Sequence, residues 1–256
     1  MTADIAVLVS IGRHPASGRP RRAERDARAL ELALRLSPAA PPLVIHAGDP
    51  DETALRDYLG MGPDSLTVLH LPPDADPLPA LIECLKTLRP RLVLAGASAE
   101  AGEGSGLLPY AIADALDAAI AADIADIART GDRLDLLQAL PRGRRRRLSA
   151  ALPAVVTVGL AAPPARPFAF GPARRGRIDV VAAAPTPDAE RAAWQLRPAR
   201  ARPKRLKLAA GGTVAERLRA ATEIAAGRGQ LLVNPPPDEA ARAIWDYLRA
   251  EGIVRS

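Results

Sequence analysis

The chain has 256 residues, of which 48% are hydrophobic and 3% aromatic, and it carries a formal net charge of +6 at pH 7. This composition excludes global disorder and predicts one large domain, or one domain with an appendage, with an aliphatic core. The positive charge is concentrated in Arg-rich turns at residues 142–147, 174–177 and 197–205, without interleaved aromatic residues. We therefore expect no nucleic-acid partner.

The cysteine content and the apolar runs bear on where the protein resides. The single cysteine, Cys84, lies on an apolar helical pattern and is predicted to be a small buried residue. One cysteine excludes an internal disulfide and a thiolate zinc site, which fits a reducing cytoplasm. The start of the chain lacks signal-peptide features, and no apolar run approaches the roughly 20 residues of a membrane helix. We expect a soluble, cytoplasmic protein.

The first half of the chain alternates between predicted strands and helices. Short apolar runs predict buried strands at residues 5–11, 43–46, 65–71 and 92–95. Helical spacing of apolar residues predicts helices over 23–34, 50–59, 78–88 and 107–116. Asp49, Pro50 and Glu52 predict a capping box at the start of the second helix. This alternation predicts an α/β fold with a doubly wound, mainly parallel sheet.

The pattern changes in the second half of the chain. Residues 120–128 and 134–140 flank a turn and predict a hairpin, and residues 153–160 are the most strand-like segment, so we expect an antiparallel extension of the sheet. Residues 161–207 show little periodicity and much Pro and Arg. Helices at 213–226 and 238–252 are predicted to flank a short strand at 230–233. The predicted organisation is a domain of residues 1–181, an extended arm of 182–208 and a small terminal unit of 209–256.

Several segments resemble the beta subunits of electron transfer flavoproteins. They follow one another in the order found in that family and together cover residues 4–181 and, more loosely, 205–254: residues 8–13 (LVSIGR), 29–36 (ALELALRL), 48–64, 152–158 (LPAVVTV) and 251–253 (EGI). The resemblance implies a fold like that of adenine-nucleotide alpha-hydrolases and a heterodimer with a larger alpha subunit. In the family, the alpha subunit holds most of the FAD, and the pair carries electrons from flavin-dependent dehydrogenases to a downstream acceptor.

The resemblance also implies an AMP site at the carboxyl ends of the strands. Backbone amides of the glycine-rich loop 96–106 can approach a phosphate, and the helix after it presents its positive end. The candidate binding residues are Ser10, Gly12, Ala47, Gly48, Gly96, Gly104, Ser105 and Gly106. The loop departs from the family's asparagine-glutamine-threonine-glycine-glutamine signature, and Ala23-Glu24 replaces an asparagine-proline. Bound AMP and a glycine-rich turn without a ligand are therefore two alternatives.

A second candidate site lies in the segment 166–175. In the family, a leucine of this recognition loop anchors on the client dehydrogenase, and that leucine is absent here. The segment contains Phe168 and Phe170, the two phenylalanines of the chain, followed by Arg174 and Arg175. Aromatic residues ringed by arginine are typical of interface hot spots. We hypothesise that Phe168 or Phe170 replaces the leucine, with packing against the domain as the alternative for each ring.

The sequence contains no pattern of a catalytic or metal-binding site. His14, His46 and His70 lack a second ligand at metal spacing, and no nucleophile elbow or Walker loop occurs. We therefore predict an electron carrier without its own catalytic constellation. Two rivals stay open: a stand-alone adenine-nucleotide-binding module, and a bifurcating subunit that holds a second FAD in place of AMP.

Overall fold

A computed structural model of the chain describes residues 4–102, 104–195, 197–198, 213–215, 218, 231–250 and 254. By its internal contacts the chain divides into two units, Met1–Gln195 and Leu196–Ser256. The strands of the described residues all lie in the first unit.

Most strands of the first unit join one sheet. Among the described residues, nine strands have the order β11-β5-β4-β1-β6-β10-β7-β8-β9, and two more, β2 and β3, form a separate antiparallel pair. The strands are β1 (Ile5–Leu8), β2 (Ile11–Arg13), β3 (Pro20–Arg22), β4 (Leu43–Gly48), β5 (Ser65–His70), β6 (Leu92–Gly96), β7 (Ala119–Thr130), β8 (Arg133–Ala139), β9 (Arg145–Ala151), β10 (Ala154–Val158) and β11 (Arg177–Ala182). Pairing is parallel from β11 to β7 and antiparallel from β7 to β9. The predicted fold class is confirmed, including the antiparallel extension.

Helices of the first unit cover both faces of the parallel part of the sheet. The described helices of that unit are α1 (Glu24–Leu36), α2 (Leu55–Leu59), α3 (Pro77–Leu88), α4 (Leu108–Ala115), α5 (Phe170–Arg175) and α6 (Ala189–Ala192). The second unit contains α7 (Pro237–Ala250). Alternate residues of β1 point to opposite faces, so Val7 joins the core cluster that contains Leu30 of α1, while Ala6 joins the cluster that contains Leu85 of α3. Burial on both faces explains why these strands read as continuous apolar runs.

The order of the strands reverses between β1 and β6. From β1 the sheet continues to β4 and β5 on one side, and the later strands β6 and β10 are added on the other side. In open α/β sheets, the crevice at the carboxyl ends of the two strands flanking such a reversal is the usual ligand site. The fold therefore directs attention to the residues that follow β1 and β6.

Two predicted elements of the first half have different bounds in the structure. The strand predicted over 5–11 is divided, because the chain leaves the sheet after β1 and Ile11 begins β2. The capping box is wrong: α2 begins at Leu55, and the Asp49 carboxylate instead accepts a hydrogen bond of 2.9 Å from the amide of Asp51. Asp49 thus stabilises the turn in which it lies, and it does not cap α2, which begins six residues later.

Two segments of the second half contain strands that the sequence did not predict. Arg145–Ala151 was expected to begin within an Arg-rich turn, but it is strand β9, paired antiparallel with β8 at the edge of the sheet. An edge strand with solvated side chains tolerates arginine, which blunts pairing with other chains. Residues 161–207 show little periodicity, yet they contain α5 and β11, and β11 pairs with β5 along its whole length.

The second unit is described chiefly by α7. This helix confirms the one predicted over 238–252, whereas residues 231–233 form no strand. Residue 230 and most of the helix predicted over 213–226 lie outside the described residues. Throughout the described part of the chain, no helix combines the length and the apolar character needed to cross a membrane.

Candidate functional site

A buried carboxylate lies in the crevice between β1 and β6. Asp26, in the first turn of α1, is 5% exposed. One of its oxygens, Oδ2, accepts hydrogen bonds from the amide and the hydroxyl of Ser10, at 2.7 and 2.5 Å. The other, Oδ1, accepts one from the amide of Gly96, at 2.9 Å. Asp26 therefore bridges the residues that follow β1 and end β6.

Burial controls the protonation of this carboxylate. Loss of contact with water raises the pKa of Asp26 to about 6, although the hydrogen bonds from Ser10 and Gly96 act in the opposite direction. At neutral pH Asp26 is thus ionised and its charge is stabilised by hydrogen bonds from the protein. Charge-assisted bonds of this kind are among the stronger ones in proteins.

The remaining polar atom of Ser10 is also engaged within the chain. The hydroxyl of Tyr58 donates to the carbonyl of Ser10 at 2.7 Å and accepts from the amide of Ala23 at 2.8 Å. Tyr58 is fully buried, and burial raises the pKa of its hydroxyl well above the usual value. The amide, carbonyl and hydroxyl of Ser10 therefore all bond to side chains of the same chain.

A second carboxylate, that of Glu100 in the glycine-rich loop, lies beside the crevice. Its Oε1 accepts from the amide of Glu24 at 2.7 Å, at the start of α1, and its Oε2 pairs with Arg21 at 3.0 Å. A Cβ atom placed on Gly12 would lie 2.3 Å from Glu100 Oε2. Glu100 thus provides a cap for α1 and ties the loop to the β2–β3 hairpin.

Close approach of side chains also explains the glycine at position 96. A Cβ atom placed on Gly96 would lie 2.3 Å from Asp26 Oδ1, so any side chain at this position would force the carboxylate to move. Both Gly12 and Gly96, predicted to let a ligand approach the backbone, are thus approached by carboxylates of the chain itself.

The other predicted nucleotide-site residues lie around this crevice. Ala47 and Gly48 end β4, the neighbour of β1, and Gly48 lies close to the ring of His46. Gly104 and Gly106 have left-handed backbones, with φ of 66° and 79°. The hydroxyl of Ser105 accepts from the amide of Leu107 at 3.1 Å and so closes a local turn. Within the predicted site, Asp26 forms its hydrogen bonds with Ser10 and Gly96.

Sequence reasoning missed Asp26. An acidic residue in the first turn of a helix is ordinary, because it complements the helix dipole. The one signal was its position next to Ala27, on the side of α1 that carries apolar residues.

The segment 166–175 presents aromatic surface to solvent. Phe168 is 46% exposed and Phe170, the first residue of α5, is 68% exposed. One edge of Phe168 lies against Gly60, and the amide of Ala169 donates to the carbonyl of Gly60 at 3.0 Å. Arg174 and Arg175 are exposed, and Arg175 lines a groove of about 670 Å³ together with Arg56 and Arg177.

Ion pairs on one buried carboxylate hold the start of this segment. Glu31 of α1 is 4% exposed, and its carboxylate accepts from Arg166 Nε at 2.7 Å and from Arg35 Nε at 2.8 Å. Burial acts to raise the pKa of Glu31, but the two guanidinium groups outweigh it and hold the pKa below its usual value. Arg166 also donates to the carbonyl of Met61, so the segment is fixed to both α1 and the end of α2.

The fold and the crevice define a class of protein: a doubly wound α/β protein whose ligand crevice, between β1 and β6, is lined by its own carboxylates. The described residues contain no group of three side chains able to hold a metal ion.

Comparison with known proteins assigns the family. The electron transfer flavoprotein domain matches residues 21–186. The chain is also similar to the electron transfer flavoprotein subunit beta of Chromohalobacter salexigens, with 48% identity over 257 residues that cover 98% of this chain and 96% of that protein. The chain belongs to the electron transfer flavoprotein family, so the predicted family and its part in electron transport are confirmed.

Proposed function

We propose that the chain is the beta subunit of a heterodimeric electron transfer flavoprotein in the cytoplasm. In this role it would accept electrons from flavin-dependent dehydrogenases and pass them to a downstream acceptor. The observation that carries the proposal is the 48% identity, over nearly the full length of both chains, to a relative named as a subunit beta. Nearly complete coverage of that relative supports a subunit of this kind over a stand-alone nucleotide-binding module.

We propose further that the chain makes and breaks no bonds of its own. His46 is buried, its pKa is lowered by burial, and its Nδ1 lies 2.9 Å from the carbonyl of Val9, to which it donates. His46 is thus neutral and structural, and His14 accepts hydrogen bonds from the amides of Ala16 and Ser17 in an exposed loop. FAD, when bound, supplies the redox chemistry, and we assign it mainly to the alpha subunit.

Docking of the client dehydrogenase is assigned to the segment 166–175. Phe170 is the better candidate for the anchor, because it is more exposed than Phe168 and opens α5. Phe168 contacts Gly60, which follows α2, and so packs the segment against the domain. Arg174 and Arg175 surround the anchor with positive charge, which suits an acidic patch on the client.

Contact with the alpha subunit is assigned to the second unit and to the arm of residues 182–208. On α7, three large side chains, Ile244, Trp245 and Tyr247, are half or more exposed. Large exposed apolar groups on one helix are typical of a surface that a partner covers. The alpha subunit is the partner that the subunit assignment requires.

Co-expression with the alpha subunit tests the proposed function. We expect a yellow heterodimer whose flavin is reduced by a dehydrogenase, and a colourless product when the chain is expressed alone. A colourless, stable monomer or homodimer that binds ATP would support the stand-alone module instead. Two flavins in each heterodimer would support the bifurcating subunit.

A further inference from the structure

The crevice at the strand reversal is the place where this fold offers backbone donors to a ligand. The amides that follow β1 and end β6 are those of Ser10 and Gly96. Both donate to Asp26, and the hydroxyl of Ser10 does so as well. A carboxylate is an anion with two acceptor oxygens, so it satisfies the same donors that a phosphate group would.

We propose that Asp26 is a built-in occupant of this crevice and that the chain therefore does not hold a nucleotide phosphate there. The carboxylate takes the position of an anionic ligand and ties α1 to both strand ends. The cleft is complete without AMP, and the subunit folds and assembles without it.

Two observations on space support this proposal. A Cβ atom on Gly96 would lie 2.3 Å from an oxygen of Asp26, and one on Gly12 would lie 2.3 Å from an oxygen of Glu100. The close approach to the backbone that glycine permits at these positions is thus used by side chains of the protein. An entering nucleotide would have to displace both carboxylates from their hydrogen bonds.

Charge supports the proposal independently of space. Asp26 and Glu100 are close enough for the charge of Glu100 to oppose ionisation of Asp26. A phosphate dianion would add negative charge beside both of them, which is unfavourable where little water is present to screen it. Arg21, the cation partner of these carboxylates, is already paired with Glu100.

Nucleotide extraction from the purified heterodimer tests the proposal, which rests on the proposed function for the identity of the complex. We expect the extract to contain FAD and no AMP, and equilibrium dialysis against AMP to show no binding. AMP in the extract at the molar amount of heterodimer would overturn the proposal. An extract without any flavin would instead contradict the proposed function, so the two failures are distinguishable.

Substitution of Asp26 tests whether this side chain is the occupant. In the heterodimer, Asp26→Ser frees the amide of Gly96 and removes the charge, so AMP or inorganic phosphate should bind measurably, at least about tenfold more tightly than the detection limit at which the wild type shows no binding. Asp126→Asn, at an exposed carboxylate of β7, is the matched control and should leave binding at the wild-type level. An assembled Asp26→Ser heterodimer with no gain in binding would contradict the role of Asp26. If that variant does not assemble, the wild-type extraction and dialysis decide.

Discussion

Asp26 carries a negative charge inside the protein because donors from two strand ends surround its carboxylate. Its neighbour along α1, Glu31, is buried as well, but it is neutralised by arginine. Burial acts to raise the pKa of both residues, but only that of Asp26 is raised, because the two arginines hold the pKa of Glu31 below its usual value. The raised pKa of Asp26 and the arginine pairs of Glu31 each predict a measurable property.

For Asp26 the prediction concerns stability against pH. Its pKa in the folded chain, about 6, lies above the ordinary value of 3.8, so the folded state binds this proton more tightly than the unfolded state. The contribution of Asp26 to the free energy of unfolding is fully present below about pH 4. It is lost as the pH rises through about 6, which lowers the free energy of unfolding by up to about 3 kcal/mol. Asp26→Asn should remove this loss, which denaturant unfolding between about pH 4 and pH 8 would measure. Equal pH slopes in variant and wild type would contradict the prediction, with Asp126→Asn as the control for charge.

For Glu31 the prediction concerns the segment that begins at Arg166. Glu31→Gln removes the charge that pairs with Arg166 and Arg35, so the free energy of unfolding should fall by about 1–3 kcal/mol. This loss of stability is smaller than the loss expected for a fully buried ion pair, because both arginines reach solvent. Proteolysis within 166–175 should become faster as well. Glu24→Gln, which breaks an exposed pair with Arg28, should cost less than about 0.5 kcal/mol and leave proteolysis unchanged.

At the scale of elements, α5 and β11 turn a Pro- and Arg-rich stretch into ordered surface. The strand adds to the edge of the sheet beside β5, and the short helix before it packs on α2. The aromatic residues are thereby presented from a defined support, since Ala173 is buried and Phe170 is exposed on the same helix. A docking residue held in this way loses little conformational entropy on binding.

This arrangement predicts a graded effect of the two phenylalanines. Phe170→Ala should lower the rate of reduction by the dehydrogenase at limiting concentration about thirtyfold, the effect of one hot-spot residue of about 2 kcal/mol. Phe168→Ala should have a smaller effect, and the double variant should abolish reduction with heterodimer assembly intact. Tyr110→Ala, at an exposed aromatic residue of α4, is the matched control. Unchanged electron transfer in the double variant would exclude this segment as the docking surface.

At the scale of the whole molecule, the chain combines a folded α/β unit with a second unit that exposes large apolar side chains. Residues such as Trp245, about half exposed on α7, are unusual on the surface of a protein that works alone. A subunit that is covered by a partner accounts for them. The whole molecule is thus interpreted as half of an assembly.

Substitutions on α7 test that interpretation. Trp245→Asp should weaken association with the alpha subunit by about 2 kcal/mol or more, because it removes a large apolar contact and adds a charge to the interface. Arg242→Ala, at an exposed polar position of the same helix, should change association little. Sedimentation of the co-expressed subunits would measure both. Equal dissociation constants for Trp245→Asp and wild type would show that this face is not covered.

Local patterns were enough to predict the alternation of strands and helices, the hairpin of β7 and β8, and the family. Burial on both faces makes a strand such as β10 a continuous apolar run, and helical periodicity marks α1, so each is visible within a few residues. The same patterns failed for β9 and β11, because an edge strand needs a partner more than it needs apolar residues. Pairing partners are not encoded in the segment itself.

The sequence by itself determined the fold class and the family. The fold class follows from the alternation of short strand and helix patterns, and the family follows from several short motifs in a fixed order. Only the tertiary structure decided what fills the crevice. Asp26 is 16 residues from Ser10 and 70 residues from Gly96, and their hydrogen bonds exist because the sheet brings the ends of β1 and β6 together. A first-turn aspartate becomes a buried anion through contacts that are distant along the chain, and no local pattern reports such contacts.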